Sequence, residues 1–400
     1  VISIKKSIKL FILMGIFSMI IFRAGFAQSQ PESAMPLNQP AQSTPELLCQ
    51  PGTAAGGQDY CIPLESSEAE TAAVTDGSTA GTPAAVFDPQ RIDPALSAVP
   101  FSYAKLNLED YESAPLYGSA QDAIAGVNSI NSIPAGGIRY VSYTNRVDSG
   151  SGHYVQAKNG GWLRASPAAI PTSTLGRTFT ATPANNFGWV FEGGNPYTAP
   201  NYNSGVNKDV WFNREDVLEV FEVVENQSST WFRVGENQWL DRIHFRCAYV
   251  KTTPPEGVTT GRWIEIDLLE QVVMVYENNS LVYAALVATG MKPFYTQPGL
   301  FQIYKMVEAE NMTGAFESDK SDYYSLEDVP FAIYYDQDRA LHGAYWRAWF
   351  GYEQSHGCTN MTIGDAHWLY NWAEVGDWIW VHDPSGNTPT DPSYYGAGGA

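Results

Sequence analysis

Basic residues are scarce in this sequence. The 400-residue chain carries 23 Lys and Arg against 43 Asp and Glu, a formal net charge of -20. A nucleic-acid binder needs a basic face to neutralise phosphates, so no nucleic acid is expected as a partner. Charge of either sign is sparse as well, at 16%, whereas aromatics reach 13%. Plentiful Trp, Tyr and Gly with few long apolar runs point to β-rich domains with many turns. The apolar run Leu10–Phe22 has 13 residues, short of the roughly 20 that a spanning helix needs. Cysteine is limited to four residues. None lies in the Cys-x2-Cys or His-x3-His spacing of a structural zinc site, so no metal is expected.

What is present divides the chain into segments, as its length implies. Lys5, Lys6 and Lys9 precede the apolar run, and Gly25-Phe26-Ala27 follows it. This is the layout of a secretory signal over 1–27, with an uncleaved anchor as the other reading; either places the rest outside the cytoplasm. Residues 28–98 are rich in Ala, Pro, Ser, Thr and Gly without hydrophobic period, and read as a disordered linker. Within it, Cys49 and Cys61 could close a small disulfide loop. Between 99 and 252, "HYVQAKNGGWLRAS" (153–166) and "TWFRVGENQWLDRI" (230–243) form a weak repeat. Each reads as a β-hairpin, and frequent Gly turns suggest two small β-barrels of bacterial SH3-like type. The Pro pair in 253–260 marks a linker. Cys247, in "IHFRCAYV", reads as a packed thiol. The segment 384–400 has the character of a flexible tail.

From Gly261 to Asp383 the pattern is mainly β. Alternation marks strands over 262–267, 271–277 and 281–288, with Asn278-Asn279 as a tight turn. Further strands are expected at 299–306 and in "DWIWVHD". Thr362 and Asp365 form a capping box for one short helix, on which Trp368 and Trp372 share a face. This predicts a β-sandwich with a helix just after Cys358.

Cys358 lies in "SHGCTN" and has no evident disulfide partner. As a metal ligand it would need His342, His356 or His367 at spacings that do not match zinc sites. As a packed thiol it leaves the neighbouring Ser, His, Gly and Asn unexplained. As a nucleophile it accounts for them. A thiolate needs a base and positive potential. The helix N-terminus after Thr362 would supply the potential. Gly357 would bend the loop so that its N–H and that of Cys358 form an oxyanion hole. His342, on a different strand, is expected as the general base. The Gly343 carbonyl would fix its tautomer. His356 is expected to point away and hold the loop. Tyr345 and Trp346 are expected to wall the substrate groove.

A His-Gly pair, a spacer and Ser-His-Gly-Cys-x-Asn is similar to the signature of the L,D-transpeptidase catalytic (YkuD) domain. The resemblance covers about 261–383, including "WIEIDLLEQVVMVYENNSLV", "GLFQIYKM" and "LHG…SHGCTNM". The spacer between His342 and Ser355 has 12 residues, slightly fewer than is usual in the family, and many members carry Arg where this chain has Asn360. The resemblance implies an enzyme of the cell envelope that acts on peptidoglycan stem peptides. Cys358 would attack the diamino acid carbonyl at stem position three and expel the terminal D-residue. An amine of a second stem would resolve the thioester into a 3→3 cross-link. No cofactor is needed, and carbapenems would acylate the same Cys. Ser355 and Asn360 are placed with Tyr345 and Trp346 among the substrate-binding residues. The chain is expected to act as a monomer, with glycan as a possible ligand of the SH3-like region.

Two other classes stay open. One is a secreted NlpC/P60-like cysteine peptidase, using His367 or His382, or an L,D-carboxypeptidase. The other is a non-catalytic wall-binding protein.

Overall fold

A computed structural model describes residues 87–315, 320 and 323–395, together with the backbone of 47–50 and 60–63. The expected signal segment 1–27 and most of the expected linker lie outside the described residues. The chain divides into two units, 1–75 and 76–400. In the first, strands Leu47–Gln50 and Tyr60–Pro63 pair antiparallel, and the backbone register sets Cys49 opposite Cys61.

The second unit is mainly β, as expected, and two of its sheets face each other. One has the order Gly299–Gln302, Trp378–His382, Trp263–Asp267, Val272–Glu277, Ser280–Leu286, then the short strands Arg177–Thr178 and Gln90–Arg91. Asn278 and Asn279 both have positive φ (51° and 60°), the mirror-image turn that suits a two-residue hairpin. The second sheet runs from Thr359–Met361 through Arg339–Gly343 and Tyr324–Asp336 into Arg139–Ser149. Between the two sheets lies a core that includes Ile264, Val275, Val287, Ile333 and Leu341. The helix Ile363–Trp372 adds Ile363, Ala366 and Leu369 to it. Trp368 stacks on Tyr283 at 4.0 Å, and Arg262 lies 4.0 Å over the Trp372 ring. Both Trp side chains are thus engaged in packing. Among the described residues no helix is long and apolar enough to cross a membrane.

Several expected boundaries differ. The alternating strand Trp263–Asp267 is buried on both faces, not one. Ile264 and Ile266 face the sandwich core. Trp263 joins a second core with Val272, Met274 and Tyr276, closed by Leu175, Phe187, Trp189 and Ala248 from the region before it. Glu265 and Asp267 are held on that outer side by His382, at 2.9 and 4.0 Å. Strands of the region 99–252 therefore pack with the 261–383 segment. Of these, Ser102–Lys105 and Arg139–Ser149 extend the Cys358-bearing sheet, while Asn186–Val190 covers the other. Both repeat hairpins exist, as Gly152–Ala157 with Trp162–Arg164 and Thr230–Gly235 with Gln238–Asp241. They lie in different sheets, and no sheet among the described residues closes into a barrel.

The expected strand 299–306 breaks after Gln302. Lys305 begins a strand of the opposite sheet, Lys305–Gly314, paired with Tyr324–Asp336. The end of the linker and the start of the tail are also built in. Phe87 packs on Phe187, and the Leu96 carbonyl accepts a bond from His367 Nδ1 at 2.9 Å. At the other end, the Tyr395 ring lies 5.1 Å from the Arg339 guanidinium.

Asp365 explains how the helix is fastened. Thr362 caps it, with its Oγ1 accepting from the Asp365 N–H at 3.1 Å. The buried Asp365 carboxylate then accepts from the N–H groups of Leu175 (3.1 Å) and Gly176 (2.8 Å), nearly 190 residues away in sequence. Asp365→Ala is expected to orphan both buried donors and cost roughly 2 to 6 kcal/mol, at about 1–3 each. Urea unfolding midpoints against an Asp365→Asn control would measure it; equal midpoints for wild type and Asp365→Ala would refute the fastening role.

Candidate active site

The register of two short parallel strands builds the site. Arg339–Gly343 and Thr359–Met361 pair with Leu341 opposite Thr359 and His342 opposite Asn360. Side chains two apart in a strand share a face. Ala340 and His342 therefore share a face with Cys358 and Asn360. Cys358, His342, Asn360, Ser355, His356, Trp346 and Arg347 line one slot, with Ile138, Met312, Tyr324 and Leu326 as its apolar wall. The slot holds about 20 Å³, space for about one water molecule. A peptide carbonyl reaches the sulfur only if some of these side chains give way.

Cys358 and His342 are each 2% exposed. Burial pushes the Cys358 thiol up to about 11, against the Ala340 N–H, 3.4 Å from Sγ, and the Arg339 guanidinium, which favour the thiolate. Burial pushes His342 down to about 4, opposed by the Gly343 carbonyl. At neutral pH the pair is thus thiol and neutral imidazole rather than an ion pair. At the helix N-terminus, Thr362 Oγ1 accepts from the Asp365 N–H and donates to the Asp365 carboxylate.

Hydrogen-bond direction fixes the imidazole tautomer. Arg347 Nε, a donor only, bonds Asn360 Oδ1 at 2.5 Å. The Asn360 amide nitrogen therefore faces His342 Nε2, at 3.1 Å, and donates to it. Nδ1 carries the proton and faces the Gly343 carbonyl at 3.3 Å. Beside this Gly343 contact, the chain Arg347–Asn360–His342 is an arrangement the sequence did not indicate.

The loop before Cys358 is clamped from one side. Gly357 has φ +119°, a conformation that L side chains rarely adopt. Its carbonyl accepts from Thr296 Oγ1 at 2.8 Å, and its N–H donates to Ser355 Oγ at 3.1 Å. That N–H is committed within the loop, so the oxyanion part expected of it is not available in this state. Gly357 instead holds the bend. A Cβ here would meet Arg339 Nε at 3.4 Å, ordinary contact, so backbone strain and not crowding decides the outcome of substitution. Gly357→Ala is expected to cost about 1–2 kcal/mol and to shift the Cys358 backbone. Thermal unfolding and the rate of Cys358 acylation would check it; unchanged values in both would show that the bend is not required.

Two other expected placements, those of Tyr345 and His356, differ in the structure. Tyr345 is core: it stacks on Tyr103 at 3.6 Å, and its hydroxyl donates to the Glu327 carbonyl at 2.8 Å. Ser355 is buried, with its hydroxyl turned to the Cys358 carbonyl at 2.5 Å. His356 does not point away but lines the slot, its ring between Phe294 (5.0 Å) and Tyr324 (5.2 Å). Trp346 does lie beside His342, with ring centroids 5.7 Å apart. Cys247 is fully buried, as expected of a packed thiol. His367 and His382, the bases available to a peptidase reading, bond Leu96 and Glu265. Arg347 was legible as the sole cation of the 343–354 spacer. Nothing local in the sequence marks Ile138, Met312 or Tyr324, which reach the slot through the register of distant strands.

Residues 261–381, the segment that carries this site, match the YkuD family, the L,D-transpeptidase catalytic domain. Among solved structures, a mutant L,D-transpeptidase of Enterococcus faecium is 20% identical over 30% of this chain and 50% of its own, with a TM-score of 0.28. An L,D-transpeptidase of Stackebrandtia nassauensis is 25% identical over 34% of this chain and 60% of its own, with a TM-score of 0.25. One from Mycobacterium smegmatis is 14% identical over 59% and 79%, at 0.29. The chain thus spans half to three-fifths of the length of the first two. No match is found among curated proteins.

Proposed function

We propose that this protein is a peptidoglycan L,D-transpeptidase of the cell envelope, exported and acting without metal or organic cofactor. The observation that carries this is the strand register that sets Cys358 and His342 on one face of one slot, within the segment that matches the YkuD domain.

His342 Nε2, neutral at working pH, takes the Cys358 proton as Sγ attacks the carbonyl of the diamino acid in a donor stem. Asn360 must release Nε2 for this step, and Arg347 keeps its amide at hand. The Cys358 N–H is the proposed donor to the oxyanion. Collapse breaks the peptide C–N bond, and the imidazolium returns its proton to the departing D-residue amine. An acceptor amine then attacks the thioester, loses a proton to His342, and restores the thiol as the C–S bond breaks. The amide energy is held in the thioester between the two halves, so the cycle balances without a co-reactant.

Incubating the purified protein with disaccharide-tetrapeptides and reading products by mass spectrometry tests the proposal. Dimers that have lost one D-residue support transpeptidation. Tripeptides alone would make it a carboxypeptidase, and no product with either donor or carbapenem would leave the wall-binding alternative.

A further inference from the structure

We propose that Arg347 is the carboxylate-binding residue of the slot and selects donors that carry a free carboxylate near the scissile carbonyl. The inference rests on the function proposed above. Among the described residues that line the slot, Arg347 is the one Lys or Arg, and none is Asp or Glu. Its guanidinium bonds two neutral oxygens, Asn360 Oδ1 through Nε and the Gln354 carbonyl through Nη2, each at 2.5 Å. Nη1 makes no hydrogen bond to a described residue. Desolvation pushes its pKa down to about 10, and only Tyr352 acts to raise it. Arg139, Arg177, Arg214 and Arg246 are also lowered by burial, yet each has carboxylates close enough to oppose the shift. In a chain with 43 acidic residues, a desolvated guanidinium with no carboxylate partner among the described residues is suited to receive an anion. A planar fork of this kind pairs with carboxylates in preference to other acceptors. A donor stem presents the carboxylate of the terminal D-residue near the scissile bond, and a second one where the diamino acid side chain bears a carboxylate.

The first test needs no transpeptidation. Iodoacetate and iodoacetamide both alkylate Cys358: Sγ displaces iodide and its proton goes to solvent. They differ in one carboxylate. Rates would be read on the Cys358 peptide by mass spectrometry, for wild type and Arg347→Gln. The ratio of iodoacetate to iodoacetamide rate is expected to fall about tenfold or more in the variant, the loss of one charge-assisted bond. An unchanged ratio overturns the proposal. A wild-type measurement guards against misfolding of the variant. D-alanine should protect Cys358 from iodoacetamide and D-alaninamide should not; equal protection by both also overturns it. Donors amidated at the terminal carboxylate or at the side-chain carboxylate then show which one Arg347 takes. Turnover of both at the free-acid rate refutes carboxylate selection but leaves the transpeptidase proposal intact. A shifted alkylation ratio without turnover of any tetrapeptide does the reverse.

Discussion

Cys358→Ala is expected to abolish both cross-linking of tetrapeptides and the covalent adduct with a carbapenem. Removal of a nucleophile that acts with its base as one unit costs on the order of 10⁶-fold in rate. The fold should survive, because the lost sulfur leaves a cavity worth about 1 kcal/mol in a core that Ile333 and Leu341 still fill. Intact-protein mass after incubation with a carbapenem is the readout. The other thiol among the described residues, Cys247, is fully buried, and burial raises its pKa well above the usual thiol value. It should therefore not substitute. An adduct that persists in Cys358→Ala, mapped to any residue, would mean that the nucleophile has been misassigned.

His342→Gln should slow acylation by about 100-fold to 10,000-fold, the usual contribution of a general base. The pH profile separates this role from a structural one. With a thiol pKa near 11 and no base, the residual rate depends on the small thiolate fraction. It should rise about tenfold per pH unit from 7 to 10. The wild type, with His342 already neutral above about pH 4, should show no fall near pH 6.5. Stability carries its own pH dependence. The unfolded chain takes a proton on this His near its ordinary 6.5, the folded one only near 4. The folded state therefore loses stability as pH falls from 6.5 to 4, and His342→Gln should remove that loss. Stopped-flow or mass-resolved acylation across this range is the measurement. A variant that keeps the wild-type profile would transfer the base to another group, with His356 in the slot wall as the first to examine.

Much of the 261–383 segment was legible in sequence because its signals are local. Alternation located three strands within two residues of their observed ends, since a strand repeats every two residues whatever it packs on. The Asn278-Asn279 turn and the Thr362–Asp365 cap depend on contacts within a few positions. The break at Ile303 was not legible. Apolar residues stand on both sides of it, Leu300 and Phe301 before and Tyr304 and Met306 after, and only the crossing from one sheet to the other divides them.

The candidate site divides in the same way. The sequence alone marked Cys358 and His342 as candidates, with a bend at Gly357 and the Gly343 carbonyl beside them, because residue type and short spacing suggest that chemistry. The tertiary structure alone decided which neighbours face the sulfur. Tyr345 and Trp346 are adjacent and chemically alike, yet one stacks on Tyr103 in the core and the other lies beside His342. Arg347 became a partner of Asn360 only when the 343–354 spacer folded back over the strand edge. Likewise, alternation in Trp263–Asp267 could show that one face is apolar, but not that Phe187 and Trp189 bury the other. Periodicity reports which faces a chain can bury, whereas the partner on each face is set by pairing between segments as much as 190 residues apart.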